Sequence, residues 1–194
     1  MAHFTAGTDS NDTGAIVRIT QFNNDRGLYI KAGRGTLDQA KAIFGLRNSS
    51  AADQDVMVFQ QGGYVTQPNR PYFKANKSSA ITGTGVVVWN TVVYNNGGCY
   101  NNSNGRFTAP IAGLYWFSAK INAYDRCDFW LQKNGTRFER GQYNTDSNNV
   151  GWWSNQLTSI VEMTAGEYVE VNVTNLNQNT DPGEWITFMG YLLS

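Results

Sequence analysis

Asp125 and Asp128 are the nearest thing in this 194-residue chain to a pair of catalytic carboxylates. Hydrolysis by two acids needs them held across one bond. Here one falls in an expected loop and the other at the start of the strand after it, so two solvated acids are the plainer reading. Calcium coordination by the same pair would need further oxygen ligands. The only histidine, His3, lies in the N-terminal leader, which leaves the folded part without the imidazole that a Ser, His and Asp triad or a His-based metal site requires. Gly83 and Gly85 stand among threonines, but no lysine and helix follow to make a phosphate loop. Cys99 and Cys127 are too few for a disulfide scaffold, and neither has a second Cys or His at metal spacing. They read as reduced, small apolar groups. The chemistry on offer is therefore recognition, not catalysis, and no enzyme is expected.

The recognition candidates are polar loop residues and tryptophans. Asp125 and Arg126, then Asn144, Asp146, Asn148 and Asn149, then Asn177, Asn179, Asp181 and Glu184 fall in three separate stretches rich in Asn and Asp. Such side chains hydrogen-bond sugar hydroxyls well and are equally good turn formers, and both readings stand. Trp152 and Trp153 are adjacent, so on a strand they face opposite ways and only one could stack on a sugar. Trp89, Trp116 and Trp130 read as packing residues, while Trp185 opens the last expected strand and is left undecided.

Strands must position these residues. Charged residues make up 15% of the chain while Asn, Gly, Ser, Thr and aromatics abound, a composition of short strands and polar turns. Lys plus Arg equals Asp plus Glu at 15 each, so no basic stripe invites nucleic acid or anionic lipid. No apolar run approaches the length of a membrane span, and no basic and apolar signal follows Met1, so the chain is expected to fold in the cytoplasm where it is made. Strands are expected over residues 15–22, 27–32, 42–47 and 56–59, with 36–43 readable instead as a short helix capped by Thr36. Gly62, Gly63, Pro68 and Pro71 then mark a composition break, which divides the chain into 1–67 and 68–194.

After the break, strands are expected over 72–75, 85–90, at Tyr100, and over 106–109, 113–123, 127–132, 137–143, 151–163, 168–176 and 185–193. Asn134 with Gly135 and Ala165 with Gly166 supply tight turns. The run Leu114, Tyr115, Trp116, Phe117 follows a corner at Pro110 and Gly113, and its unbroken apolar character predicts an inner strand covered on both faces. Strands of this number and spacing make an all-β sandwich or jelly roll. Alternate loops of such a sandwich emerge at opposite ends, which gathers 123–126, 144–149 and 177–184 at the end far from the connector.

From Pro71 onwards the residues resemble the C1q-like domain, the ten-stranded jelly roll related to the tumour necrosis factor fold. Pro71, Phe73 and Ala75 look like its opening strand, and Val88, Trp89 and Asn90 stand where that family has an apolar pair and Asn. Tyr100, Gly105, Phe107, Thr108, Pro110, Gly113, Tyr115 and Phe117 resemble its central signature. Asn134 and Gly135 resemble its hairpin, Gly166 and Val169 its Gly-Asp-x-Val step, and Phe188, Gly190, Leu192 and Leu193 its closing strand. Glu167 departs from the usual Asp. The resemblance implies a homotrimer with Trp152 and Trp153 on the sheet that faces the threefold axis, and it offers calcium at Asp125 and Asp128 as the only cofactor.

The junction at 63–73, GYVTQPNRPYF, is similar to that of phage tail-fibre proteins that end in C1q-like tips. This implies a virion-surface adhesin that binds a host glycan or protein, with the β-rich 1–67 segment trimerising and docking to other virion proteins. A head fibre, a capsid decoration and a bacterial surface binding module are the alternatives.

Overall fold

A computed structural model describes residues 28–33, 41–47, 53–60, 64–141 and 151–194, and the chain divides into two compact units, Met1–Asn69 and Arg70–Ser194. In the first unit, β1 (Leu28–Gly33), β2 (Lys41–Arg47), β3 (Asp53–Gln60) and β4 (Val65–Thr66) form one antiparallel sheet in sequence order. Ile43 pairs with Lys31 on one side and Val58 on the other, so the helical alternative for 36–43 fails over the residues described there. A β-branched residue between two partner strands gains more from the ladder than an isolated helical turn can offer. The expected strand at 15–22 lies outside the described residues.

The second unit is a sandwich of two antiparallel sheets. Its strands are β5 (Tyr72–Lys77), β6 (Gly85–Val86), β7 (Thr91–Asn96), β8 (Tyr100–Asn101), β9 (Arg106–Thr108), β10 (Gly113–Tyr124), β11 (Cys127–Lys133), β12 (Thr136–Arg140), β13 (Trp152–Met163), β14 (Tyr168–Leu176) and β15 (Gly183–Leu192). One sheet runs β13-β10-β15-β5-β7; the other runs β12-β11-β14-β9-β8, with β6 also on β14. Strand β7 was not among the expected strands, although Thr91-Val92-Val93-Tyr94 has strand composition.

Period-two alternation builds the core. Along β10, Tyr115, Phe117, Ala119, Ile121 and Ala123 are fully buried; along β11 and β14, so are Phe129, Leu131, Val169, Val171 and Val173. Phe107 lies with its ring 5.1 Å from Phe117 and 5.3 Å from both Phe73 and Tyr115, while Phe73 stacks on Tyr100 at 4.7 Å. Cys99 and Cys127 are free and buried, and burial pushes their thiols up to about 11 and about 12, which keeps them as unreactive thiols.

The inner-strand reading of β10 holds for one face and not for the other. Leu114 is 41% exposed and Trp116 half-buried, because even-numbered residues of β10 point out of the sandwich. Trp130 on β11 likewise points out of the opposite sheet. Both tryptophans are thus surface residues of their sheets, and only Trp89 of the three expected packing tryptophans is in the core.

The two expected turns are joined by the residue that departs from the family pattern. Asn134 and Gly135 have φ of 51° and 78°, and Gly166 has φ of 87°. Glu167 accepts from Thr164 N at 2.8 Å and from Asn134 Nδ2 at 3.0 Å, and pairs with Lys133 at 2.8 Å. These partners, Lys133 first, hold its carboxyl down from 4.5 to about 2. A depressed carboxyl contributes stability that is present above the unfolded value and lost as pH falls through the folded one. Glu167→Gln is therefore expected to flatten the acid limb of the stability curve between pH 4.5 and 2, read from urea midpoints at stepped pH; an unchanged limb would show that the turn bonds do not outlast solvent screening.

Candidate functional site

Residues 123–126 and 177–184 meet at one end of the sandwich. Asp125, at φ 67°, donates its N–H to Gly151 O and accepts from Asn177 Nδ2 at 3.0 Å. Asn177 N donates to Arg126 O at 3.0 Å, Tyr124 N to Asn179 O at 3.2 Å, and Thr180 bridges to Ala123. Asn144, Asp146, Asn148 and Asn149 lie outside the described residues. Asn179 and Glu184 are exposed.

Asp181 is not free as an exposed loop residue would be. Its Oδ2 accepts from Asn122 Nδ2 at 2.6 Å, and its N–H donates to Asn122 O, so it ties the loop to β10. Thr180 beside it is 2% exposed, and its Oγ1 accepts from Ile81 N at 2.7 Å. That bond recruits residues 78–84, a loop that the sequence reading weighed at Gly83 as a phosphate loop and did not join to the far-end loops. Its only advance signal was Asn90, whose Oδ1 accepts from Ser78 N at 3.0 Å and whose Nδ2 donates to Ser78 Oγ at 2.8 Å. Thr180→Val keeps the shape and orphans a buried N–H, which is expected to cost about 1–3 kcal/mol. Urea denaturation measures this; a variant as stable as the parent would show that water reaches Ile81 N.

Asp125 and Asp128 are not brought together as a calcium site. Asp128 is held by Arg140 through Nε at 2.9 Å and Nη2 at 3.0 Å, while Asp125 is engaged with Asn177. A cation would have to displace a bidentate guanidinium from one of its two carboxylates. Among the described residues, no three His, Cys, Asp or Glu side chains converge, and no helix is long and apolar enough to cross a membrane.

The second candidate surface is the outward face of the five-stranded sheet. Trp152 pairs with Tyr124 across β13 and β10 and meets its ring at 5.4 Å, which places it on this face, 52% exposed. Trp153 pairs with Ala123 and so takes the opposite face of the strand, at its end, 37% exposed. The same outward face carries Trp185. It also carries Leu114, Trp116, Ile160 and a cavity of about 390 Å³ lined by Arg70, Tyr72, Tyr94, Met189 and Tyr191.

Two antiparallel sheets in this strand order define a jelly roll of the C1q and tumour necrosis factor class, whose members are generally non-enzymatic, typically trimeric binding modules. The chain belongs to the C1q domain family, whose pattern matches residues 72–193. It is similar to the globular domain of zebrafish complement 1qA protein, at 15% identity and a TM-score of 0.52, over 64% of this chain and 98% of that one. It is similar also to murine APRIL at pH 5.0, at 12% identity and a TM-score of 0.53, over 64% and 99%. At these identities the likeness is one of fold. No curated protein matches the chain. The C1q-like reading of the sequence is thereby borne out.

Proposed function

We propose that this chain is a homotrimeric adhesion protein: a virion fibre, exposed on the particle surface, whose C1q-like tip contacts a host glycan or protein through its apical loops. Residues 1–67 would serve as the attachment segment to other tail or capsid proteins. The protein acts by binding and not as an enzyme. The observation that carries the reading is the apolar outward face of the five-stranded sheet, where Leu114 at 41%, Ile160 at 56%, Tyr94 at 45% and Tyr191 at 39% stay exposed on a single chain. Contiguous apolar surface of this kind is stabilised by covering it, and a closed trimer covers it three times over. Each trimer then presents three copies of every apical loop, so weak contacts gain from effective concentration.

Light scattering on the full chain tests the assembly; a monomeric mass at micromolar concentration would contradict it. Asn179→Ala, Glu184→Ala and Asp146→Ala test the tip, because the first two remove exposed side chains and leave the Asp181 and Thr180 bonds intact. Weaker adsorption to host cells at unchanged melting temperature is expected. Adsorption like the parent's in all three would favour a head fibre or decoration protein that uses the trimer only for stability, a reading to which the tightly bonded apical loops lend support.

A further inference from the structure

The outward face of the six-stranded sheet carries a second, independent constellation. Pairing across β12, β11, β14 and β6 puts Arg140, Trp130, Asn172 and Val86 in one row. The next row holds Arg137, Gln132 and Glu170, the last bonded by Arg106 Nε at 2.8 Å. The guanidinium carbons of Arg137 and Arg140 stand 4.9 and 5.5 Å from the centre of the Trp130 ring. Arg140 is neutralised by Asp128 and Arg106 by Glu170, whereas Arg137 faces no carboxylate among the described residues. The side-chain amides of Gln132 and Asn172, side by side with Trp130, make no hydrogen bond among those residues. Trp130 Nε1 is enclosed and has no acceptor among the described residues.

A buried N–H without an acceptor is costly, and native folds seldom leave one without reason. Here the ring is flanked by two arginines of an edge strand that is exposed throughout; Arg140 is tied to Asp128, whereas Arg137 has no such tie to stop it swinging aside. An indole, two planar amides and a guanidinium on one flat sheet face match what a sugar offers: an apolar ring face and hydroxyls that both donate and accept. The uncompensated charge on Arg137 adds a preference for a carboxylate. This face is also on the opposite sheet from the apolar one assigned to self-assembly, so trimer formation leaves it open.

We infer that the outward face of the six-stranded sheet, centred on Trp130 with Arg137, Gln132 and Asn172, is a binding platform for acidic saccharides, those bearing a sialic or uronic acid. The inference rests on the adhesion reading for its ligand class, a glycan, and adds a contact on the side wall to that of the apical loops. Arg137 binds the carboxylate, and the Trp130 N–H and the two amides bind hydroxyls.

Saturation-transfer NMR on the full chain, with sialyllactose, a glucuronate disaccharide and neutral lactose as probes, tests it. At least one acidic probe is expected to bind with a dissociation constant on the order of 1 mM per site, and lactose more weakly. Arg137→Ala and Trp130→Phe, which keeps an aromatic ring and removes the N–H, should each weaken that binding by about fivefold or more. Apical Asn179→Ala should leave it unchanged. If neither acidic probe binds, or if Arg137→Ala, an exposed edge substitution that will not unfold the domain, binds like the parent, the platform is wrong. Cell adsorption of the apical variants reports separately on the adhesion reading, so the two can fail independently.

Discussion

Phe107→Ala is expected to cost about 3–5 kcal/mol of stability, because it removes a fully buried ring from the centre of the core. Phe107 sits on a strand of only three residues, Arg106–Thr108, between the Tyr115 and Phe117 rings of one sheet and Phe73 beside them. The surrounding groups are aromatic and held by two sheets, so the space left behind collapses little. Chemical denaturation gives the number directly. Phe107→Leu, which refills most of the volume, should recover more than half of the loss. A cost under about 1 kcal/mol for the alanine variant would mean that the rings around it repack freely.

Gly105→Ala, two residues earlier, is expected to be comparably damaging for a different reason. Gly105 has φ of 78°, and a methyl group on it would collide with the backbone carbonyl of Val87, which cannot swing away as a side chain would. Left-handed strain and a backbone clash together give roughly 2–5 kcal/mol. Gly97 separates the two terms: its φ is 76°, but nothing stands within 4 Å of the position its Cβ would take. Gly97→Ala should therefore cost about 1 kcal/mol, the conformational part alone. Equal losses at the two sites, by denaturation, would show that the approach of Val87 to Gly105 is not constrained.

Both variants lie in the part of the fold that one chain completes by itself. Substitutions on the outward faces should behave differently. Leu114 and Ile160 are already exposed in a single chain, so their replacement is expected to act on assembly before it acts on folding.

Much of this was readable from local rules. Apolar and polar alternation with turn residues at regular spacing determines an all-β sandwich, since each strand must bury one face and each turn needs a residue tolerant of its φ. Asn134 and Gly135 announced their hairpin because few other pairs accept positive φ at both positions. Tyr115 and Phe117 were expected to be buried, and are, because the whole apolar run was read as covered on both faces, while period two says only that they share one face. The same rule could not say which of Trp116 and Phe117 faces the core, because a strand apolar on both sides carries no mark of which face the sandwich covers and which it leaves out. Trp116 and Trp130 were therefore assigned to packing, and only the pairing of β10 with β13 and β15, and of β11 with β12 and β14, turned them outwards. Asp181 and Thr180 show the second limit. As Asn and Asp-rich sequence they read as exposed loop, yet bonds to Asn122 and Ile81, far away along the chain, make one a tie and the other a buried anchor. Local sequence determines what a side chain can donate, accept or bury; only the folded chain decides which distant group stands opposite it, and that choice separates a structural loop residue from one left free to bind.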